Sequence, residues 1–440
     1  MSSTFRALRY FNYRLWFCGA IVSNIGTWMQ RVAQDWLVLT RLTDESGVAV
    51  GITTGLQFLP PILLAPYAGL IVDRVDKRKL LMTTQLSSGA SALLLGVLVL
   101  TGTAQLWHVY VLAAVLGVAT AFDFPARHTF VGEMVGGTDL PNAVSLNSAT
   151  FNAARVAGPA AAGLLIALVD IGPVFLINAL TFLAVVLALT RMRASELQLI
   201  PRVIRGKGQI REGLAYIRGR PQITIVMVVV FLVGAFGVNF ELTTALMARV
   251  EFERGAEQYG LLVSVMAVGS LGGALLAARR ERPRVGVVIG AAFLFGVAEL
   301  VASVMPTYLM FALALIPVGL TALTMLTTAN AVVQLNTDPA MRGRVMALYM
   351  VILMGGTPMG APLIGWVGER FGARYTIALG GAVSLIVAVA AAAYLLRSQR
   401  LRVNYRLRAR PHLLIRSAEV RAEQSSTIPG TTEDNACWPQ

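Results

Sequence analysis

Charge is scarce in this 440-residue chain: Asp, Glu, Lys and Arg together make up only 14% of it. Hydrophobic residues account for 56%, and the mean hydropathy is +0.67. No soluble globular chain of this length hides that much apolar surface, so an ordinary water-soluble domain is excluded. Cysteine is nearly absent. Cys18 and Cys437 are the two that occur, and they build neither a disulfide framework nor a zinc site. The three histidines, His108, His128 and His412, share no metal-ligand spacing, so neither a metal nor a cofactor is expected. No G-x-x-x-x-G-K-[ST] phosphate loop occurs, which argues against ATP hydrolysis within the chain. The G-x-S-x-G elbow and the H-E-x-x-H pair are missing as well, so an enzyme is not expected.

The alternating pattern of a membrane β-barrel is also lacking, which leaves the helical bundle as the spanning solution. Apolar stretches of about 20 residues, the length that crosses the hydrocarbon core, recur twelve times. They fall near 14–38, 48–70, 80–100, 108–126, 145–168, 171–190, 222–244, 258–278, 285–304, 307–330, 345–367 and 372–396. The fold class expected is an all-α polytopic membrane protein.

A net charge of +14 in a soluble chain would point to nucleic acid, but its distribution points elsewhere. With a cytoplasmic N-terminus, 30 of the 37 Lys and Arg fall on inside segments and five on outside loops, with Arg31 and Arg155 inside spans. That split is a positive-inside signal: both termini are expected in the cytoplasm, in a multi-pass protein of the cell (inner or plasma) membrane. The basic excess then contacts the lipid bilayer rather than nucleic acid, for which no aromatic-interleaved platform exists. Nothing at the start reads as a cleavable signal. Arg6, Arg9 and Arg14 precede a span of full length, so the first helix is expected to direct insertion.

Four parts are expected. Residues 1–190 form a six-helix bundle, and 191–221 a cytoplasmic linker. Within the linker Ile210, Leu214 and Ile217 mark a basic amphipathic helix lying along the interface. Residues 222–396 form a second bundle, and 397–440 a basic tail whose end is expected to be disordered. The two bundles read as repeats. GPAAAG (Gly158–Gly163) matches GAPLIG (Gly360–Gly365) at an offset of 202, and IGPVF (Ile171–Phe175) matches FGARY (Phe371–Tyr375) at 200. Parallel six-helix repeats place a substrate site between the halves near the midplane.

Charges inside spans are the leading site candidates, because an unpaired ion there is costly. Arg31 and Asp35 are four apart on the first helix, with Gln34 beside them. Glu241 follows Asn239 on the seventh, the repeat partner of the first. Both carboxylates lie about 30 Å along their helices, in the outer half of the membrane. A symmetric carboxylate pair suits proton coupling, since burial favours the protonated acid and a nearby arginine the ionised one. The bland alternative is that Asp35 pairs with Arg31 and that Glu241 is solvated. Arg155 has no carboxylate within a turn, so it either binds an anionic substrate or ties to another helix. Glu299 and Asp123, the latter in FDFPAR (Phe122–Arg127), read as gate or turn residues. Trp28, Met29, Trp36 and Phe58 form either a wall for an apolar ligand or an interfacial belt.

GLIVDRVDKR (Gly69–Arg78) sits between two apolar runs, with six charges in the seven positions from Asp73 to Lys79. It reads as a tight cytoplasmic turn, and it resembles the signature loop G-x-x-x-D-R-x-G-R-[RK] of the major facilitator superfamily. Asp76 stands where that family has its second glycine. The run Arg155–Gly163, with Gly158, Pro159 and Gly163, is similar to the fifth-helix motif of the exporter and antiporter branches; close packing alone is the alternative reading. NIGTWMQRVAQDWLVLTRLT (Asn24–Thr43), LQFLPPILLAPYAGLIVDR (Leu56–Arg74), FDFPARHTF (Phe122–Phe130) and LPNAVSLNSATFNAARVAGPAAAG (Leu140–Gly163) together resemble the enterobactin-exporter-like branch, over about residues 10–396. The resemblance implies two pseudo-symmetric six-helix bundles, alternating access, and export of siderophores or multiple drugs in exchange for protons. It implies a gating role for Gly69, Asp73, Arg74, Lys77 and Arg78, with Asp73 steadying the closed cytoplasmic gate. A monomer with a small-molecule substrate and protons as partners is expected. An importer or facilitator on the same fold, or a receptor that has lost transport, are the rival readings.

Overall fold

A computed structural model describes residues 3–198, 209–279, 283–339, 341–398, 402–406 and 412–416. The chain divides into two compact units, Met1–Ala388 and Val389–Gln440. The first bundle comprises α1 (Phe11–Leu37), α2 (Gly47–Arg74), α3 (Lys77–Leu100), α4 (Leu106–Val135), α5 (Leu140–Val169) and α6 (Ile171–Thr190). A short α7 (Gln209–Arg218) precedes the second bundle. That bundle comprises α8 (Pro221–Phe236), α9 (Phe240–Leu246), α10 (Ala256–Ala278), α11 (Val285–Ser303), α12 (Tyr308–Leu335), α13 (Arg342–Phe371) and α14 (Ala373–Ser398). Eleven spans among the described residues are long and apolar enough to cross a membrane. α1, which carries Arg14, Arg31 and Asp35, is the twelfth.

These segments are helical because a chain in hydrocarbon must satisfy its own backbone groups. They are apolar on every side because their outer faces meet lipid. Leu63, Leu168, Leu180 and Ile386 are all exposed on those faces. Side-chain caps punctuate the starts: Ser46 accepts from the Ala49 N–H, Asp76 from Lys79, and Thr307 from Met310.

The repeat is structural down to its turns. α5 and α13 are both 30 residues long and start 202 positions apart, at Leu140 and Arg342. Asp170 and Gly372, also 202 apart, both hold positive φ at the sharp turn that follows. The IGPVF–FGARY pairing is therefore two residues out of register, because Ile171 corresponds to Ala373. α1 and α9 each finish in a π-helical turn, Val38–Leu42 and Met247–Glu251, 209 positions apart.

Span seven is not the continuous helix expected over 222–244. It breaks at Gly237–Asn239 between α8 and α9 and runs on to Glu251. α4 outruns its expected end at 126 and continues through Pro125 to Val135. The amphipathic helix forms as α7, but docked on protein. Ile217 is buried, Leu214 is exposed, and Glu212 pairs with Arg344 of α13. Ile210's side chain and linker residues 199–208 lie outside what is described. In the second unit, β1 (Arg402–Arg406) pairs antiparallel with β2 (His412–Arg416); the disorder expected for the tail's end falls on residues outside those described.

The two bundles meet through α2 against α13 and α5 against α10. A Cβ on Gly365 would lie 2.2 Å from the Gly47 carbonyl oxygen, and one on Gly51 would lie 2.4 Å from that of Ala361. Further along, the gaps widen to 3.5 Å for Gly55 against Pro358 and 3.9 Å for Gly355 against Ile62. Polar contacts seal the tight end. The Glu369 carboxylate accepts from the Ser46 hydroxyl and, at 3.0 Å, from the Val48 N–H, while Arg249 meets Glu45 at 2.7 Å. The halves are closed at the α1–α2 end and diverge toward the end that carries the N-terminus.

Candidate functional site

Beneath the closed end, residues of both bundles converge on Tyr259 of α10. Its hydroxyl is 3.4 Å from Asp35 Oδ2 and 3.1 Å from the Glu241 carbonyl oxygen. Its ring stacks on Trp36 with centroids 5.8 Å apart and planes at 20°. Asp35 is buried at 4% exposure, among the apolar residues that close α1. It does not pair with Arg31. Arg31 Nη1 instead faces Glu241 Oε1 at 3.6 Å, across the bundle boundary, with its guanidinium 5.0 Å from the Trp28 ring and 5.3 Å from that of Phe58. Arg155 lies 5.9 Å from the Trp28 ring and, among the described residues, has no ion-pair partner.

Asp35 and Glu241 are thus brought into one cluster, but they are not symmetry mates. The 209-residue offset of the π turns places Thr244, not Glu241, opposite Asp35. Gln34 is buried with its Nε2 unpartnered. Asn239 stitches the helix break, its Nδ2 donating to the Ala235 carbonyl at 2.7 Å while its Oδ1 has no partner. Tyr259 was not legible as a site residue, because one tyrosine near the start of an apolar span carries no periodic or charge signal.

One hydroxyl stands within reach of two oxygens. It donates a single hydrogen at a time. When Asp35 is ionised the hydrogen goes to the carboxylate. When Asp35 is protonated its own O–H donates to the phenol oxygen, which frees the phenol hydrogen for the Glu241 carbonyl.

The Gly69–Arg78 loop makes its described contacts inside the first bundle. Lys77 Nζ reaches Glu133 Oε1 of α4 at 2.5 Å. Arg78 ties to the end of α6, its Nε 2.7 Å from the Leu189 carbonyl and Nη2 2.9 Å from that of Thr190. Arg74 is exposed and Gly69 buried, while the Asp73 side chain lies outside what is described. Asp76, the departure from the family pattern, caps α3 through the Lys79 N–H at 3.2 Å. Asp123 accepts from Thr84 (2.8 Å) and Gln85 (2.7 Å) and pairs with Arg127, which stands over Trp16.

The fifth-helix run lies where three helices cross. A Cβ on Gly158 would stand 2.5 Å from Trp28 Cβ of α1, and one on Gly163 2.7 Å from the Ala256 carbonyl of α10. A Cβ on Gly260 would stand 2.2 Å from the Pro159 carbonyl oxygen. Its repeat does the same: Gly360 packs on Ala235 of α8 and Gly365 on Gly47 of α2. Close packing is therefore one role of this run, and much of that packing joins the two bundles.

Residues 2–417 match the family model described as transmembrane secretion effector. A staphyloferrin A transporter of Staphylococcus aureus is 25% identical over 382 residues, covering 85% of this chain and 94% of the relative. The multidrug efflux pump Tap of Mycolicibacterium fortuitum is 26% identical, with coverage of 81% and 89%. Macrolide efflux protein A of Streptococcus pyogenes is 22% identical, with coverage of 86% and 94%. Among solved structures, a bacterial homolog of the human lysosomal transporter Spinster, inward-facing and unoccupied, superposes with a TM-score of 0.67 at 13% identity, covering 91% of this chain and 98% of that one. A POT family transporter in complex with 5-aminolevulinic acid gives 0.71 at 9%, covering 88% and 96%. At such identities the structural likeness speaks for the fold alone.

Proposed function

The chain belongs to the transmembrane secretion effector family of major facilitator transporters, and on that premise we propose that it exports drug-like compounds or siderophores in exchange for protons. The observation that carries the coupling is the buried Asp35, held by one long hydrogen bond from the opposite bundle. Burying an ion with so few partners is costly. Losing the proton therefore favours separation of the halves at this end, where water can reach the carboxylate. Regaining it favours closure. That is the order an antiporter needs: proton release toward the open side, then substrate loading and reorientation.

The wall of Trp28 and Phe58 around Arg31, with Arg155 beyond, suits a bulky ligand with apolar surface and anionic or acceptor groups. The charge split along the sequence supports a cell-membrane location with both termini cytoplasmic, which makes the closed end the outer one.

The test is Asp35→Asn in inverted membrane vesicles, with a substrate found by a survival screen across antibiotics, dyes and siderophores. Uptake driven by a pH gradient is expected to vanish, while the variant folds and still binds the substrate. Unchanged gradient-driven uptake would sink the coupling assignment.

A further inference from the structure

Span nine buries a carboxylate that the Asp35 cluster does not use. Glu299 on α11 is 3% exposed, its Oε2 has no hydrogen-bond partner, and no ion pair reaches it among the described residues. The helices packed around it supply no cation. α8 and α12 carry no charged residue at all. On α14, Arg374 is committed at the helix start to Glu251 and to the carbonyls of Ser303 and Met305, and Arg397 lies at the opposite end. The one acid on α9, Glu241, faces Arg31. An unpaired ion in such surroundings is costly.

What faces that carboxyl is the break in span seven. After Phe236 the Gly237 and Val238 N–H groups both turn back to the Val233 carbonyl, at 2.7 and 3.0 Å, and Asn239 Nδ2 takes that of Ala235. Val238 and Asn239 lie in no turn, so among the described residues no turn bond from a backbone N–H reaches the Phe236 carbonyl. A Cβ on Gly380 of α14 would stand 2.7 Å from this carbonyl oxygen and 3.0 Å from Glu299 Oε2. The glycine thus leaves carbonyl and carboxyl bordering one space. Ser384, one turn further along α14, is buried with its Oγ unpartnered among the described residues, and a Cβ on Gly237 would lie 3.1 Å from it. The C-terminal end of the half-helix α8 adds its partial negative charge to the same place.

We propose that Glu299, Ser384 and the Phe236 carbonyl form a second proton-binding site, in which the Glu299 carboxylic acid donates to that carbonyl and holds span seven in its broken form. Loss of the proton turns one lone pair against another, and the Phe236 carbonyl then recovers its donor by straightening the span, from the Phe240 N–H. The ligand is a proton rather than a divalent ion. A single carboxylate is too few oxygen ligands for one, and no group of three acidic, His or Cys side chains exists among the described residues. The site is independent of the antiport reading, and its failure leaves the role of Asp35 untouched.

The test is infrared spectroscopy of the full chain in lipid nanodiscs at neutral pH. It is recorded in the Asp35→Asn background so that the other buried acid is silent. A protonated-acid carbonyl band is expected, lost in Glu299→Gln and shifted in Ser384→Ala. A spectrum unchanged by Glu299→Gln, a carboxylate signature in place of the acid band, or removal of the band by added sodium would each overturn the proposal. Glu299→Gln keeps an N–H donor for the Phe236 carbonyl, whereas Glu299→Leu does not. Amide exchange at residues 238–240 is therefore expected to stay at the parent rate in the glutamine variant and to fall about tenfold in the leucine variant, where the straightened span engages the Phe240 N–H. Equal rates in the two variants would refute the donor role.

Discussion

Gly365 of α13 and Gly47 of α2 touch backbone to backbone at the closed end of the two bundles. A methyl group on Gly365 would lie 2.2 Å from the Gly47 carbonyl oxygen, 2.4 Å from its carbon and 2.7 Å from the Val48 nitrogen. All three atoms belong to the opposite half. Relieving the overlap requires the helices to part by about 1 Å, since backbone in a packed interface has no rotamer to yield. Overpacking of this kind costs about 1–3 kcal/mol. The cost falls on the state in which this end is closed, and the open state escapes it, so Gly365→Ala is expected to reduce the closed-to-open ratio about 5- to 150-fold. Pulsed electron resonance distances between spin labels at Asp44 and Arg370, in a background lacking Cys18 and Cys437, read that population directly. Gly290→Ala is the control, because nothing stands within 4 Å of a Cβ there. An unchanged distance distribution in Gly365→Ala, or an equal shift in the control, would refute the reasoning.

Two further substitutions probe the turn and the shared hydroxyl. Asp76→Ala removes the α3 cap and is expected to cost about 1 kcal/mol of stability, with Asp76→Asn restoring most of it; thermal unfolding in detergent decides. Tyr259→Phe keeps the stack on Trp36 but deletes the hydroxyl shared by Asp35 and the Glu241 carbonyl. It is expected to slow proton-driven export by up to about tenfold, the worth of one ordinary hydrogen bond, while substrate counterflow continues.

What the sequence made legible follows a physical divide. Membrane spans are written in composition, because each must be apolar over its full length, and the turns are written in charge. Hence the twelve spans and the Asp76–Lys79 knot were readable. Pairings between helices are a different matter. Arg31 and Asp35 share a helix face and look like partners, yet the nearest carboxylate to Arg31 is Glu241, 210 positions away and on another bundle. The break in span seven was hidden for a related reason. Gly237-Val238-Asn239 contains no proline, and a lone glycine in an apolar run reads as helix until the neighbour that makes bending favourable is known.

That neighbour is visible once the halves are compared through their repeat. Trp28 corresponds to Gly237 and Gln30 to Asn239 by the 209-residue offset of spans one and seven, and Asn178 corresponds to Gly380 by the 202-residue offset of spans six and twelve. In the first half, Asn178 Nδ2 bonds Gln30 at 2.5 Å, and its Oδ1 would meet a Cβ on Gly26 at 2.3 Å, so an amide fills the space beside an unbroken α1. In the second half, the amide is replaced by a glycine, and the vacated volume is shared by the Phe236 carbonyl and the Glu299 carboxyl. An asparagine is neutral at every pH, whereas a carboxyl exchanges a proton. The same packing position is therefore a fixed strut in one bundle and a titratable one in the other. The half with the strut also carries the Lys77–Glu133 and Arg78 ties of the turn, and the titratable half carries the break. With Glu299 as the proposed proton site, the change of shape on losing the proton falls at the break in the second bundle, where the first bundle has an amide in place of a titratable group.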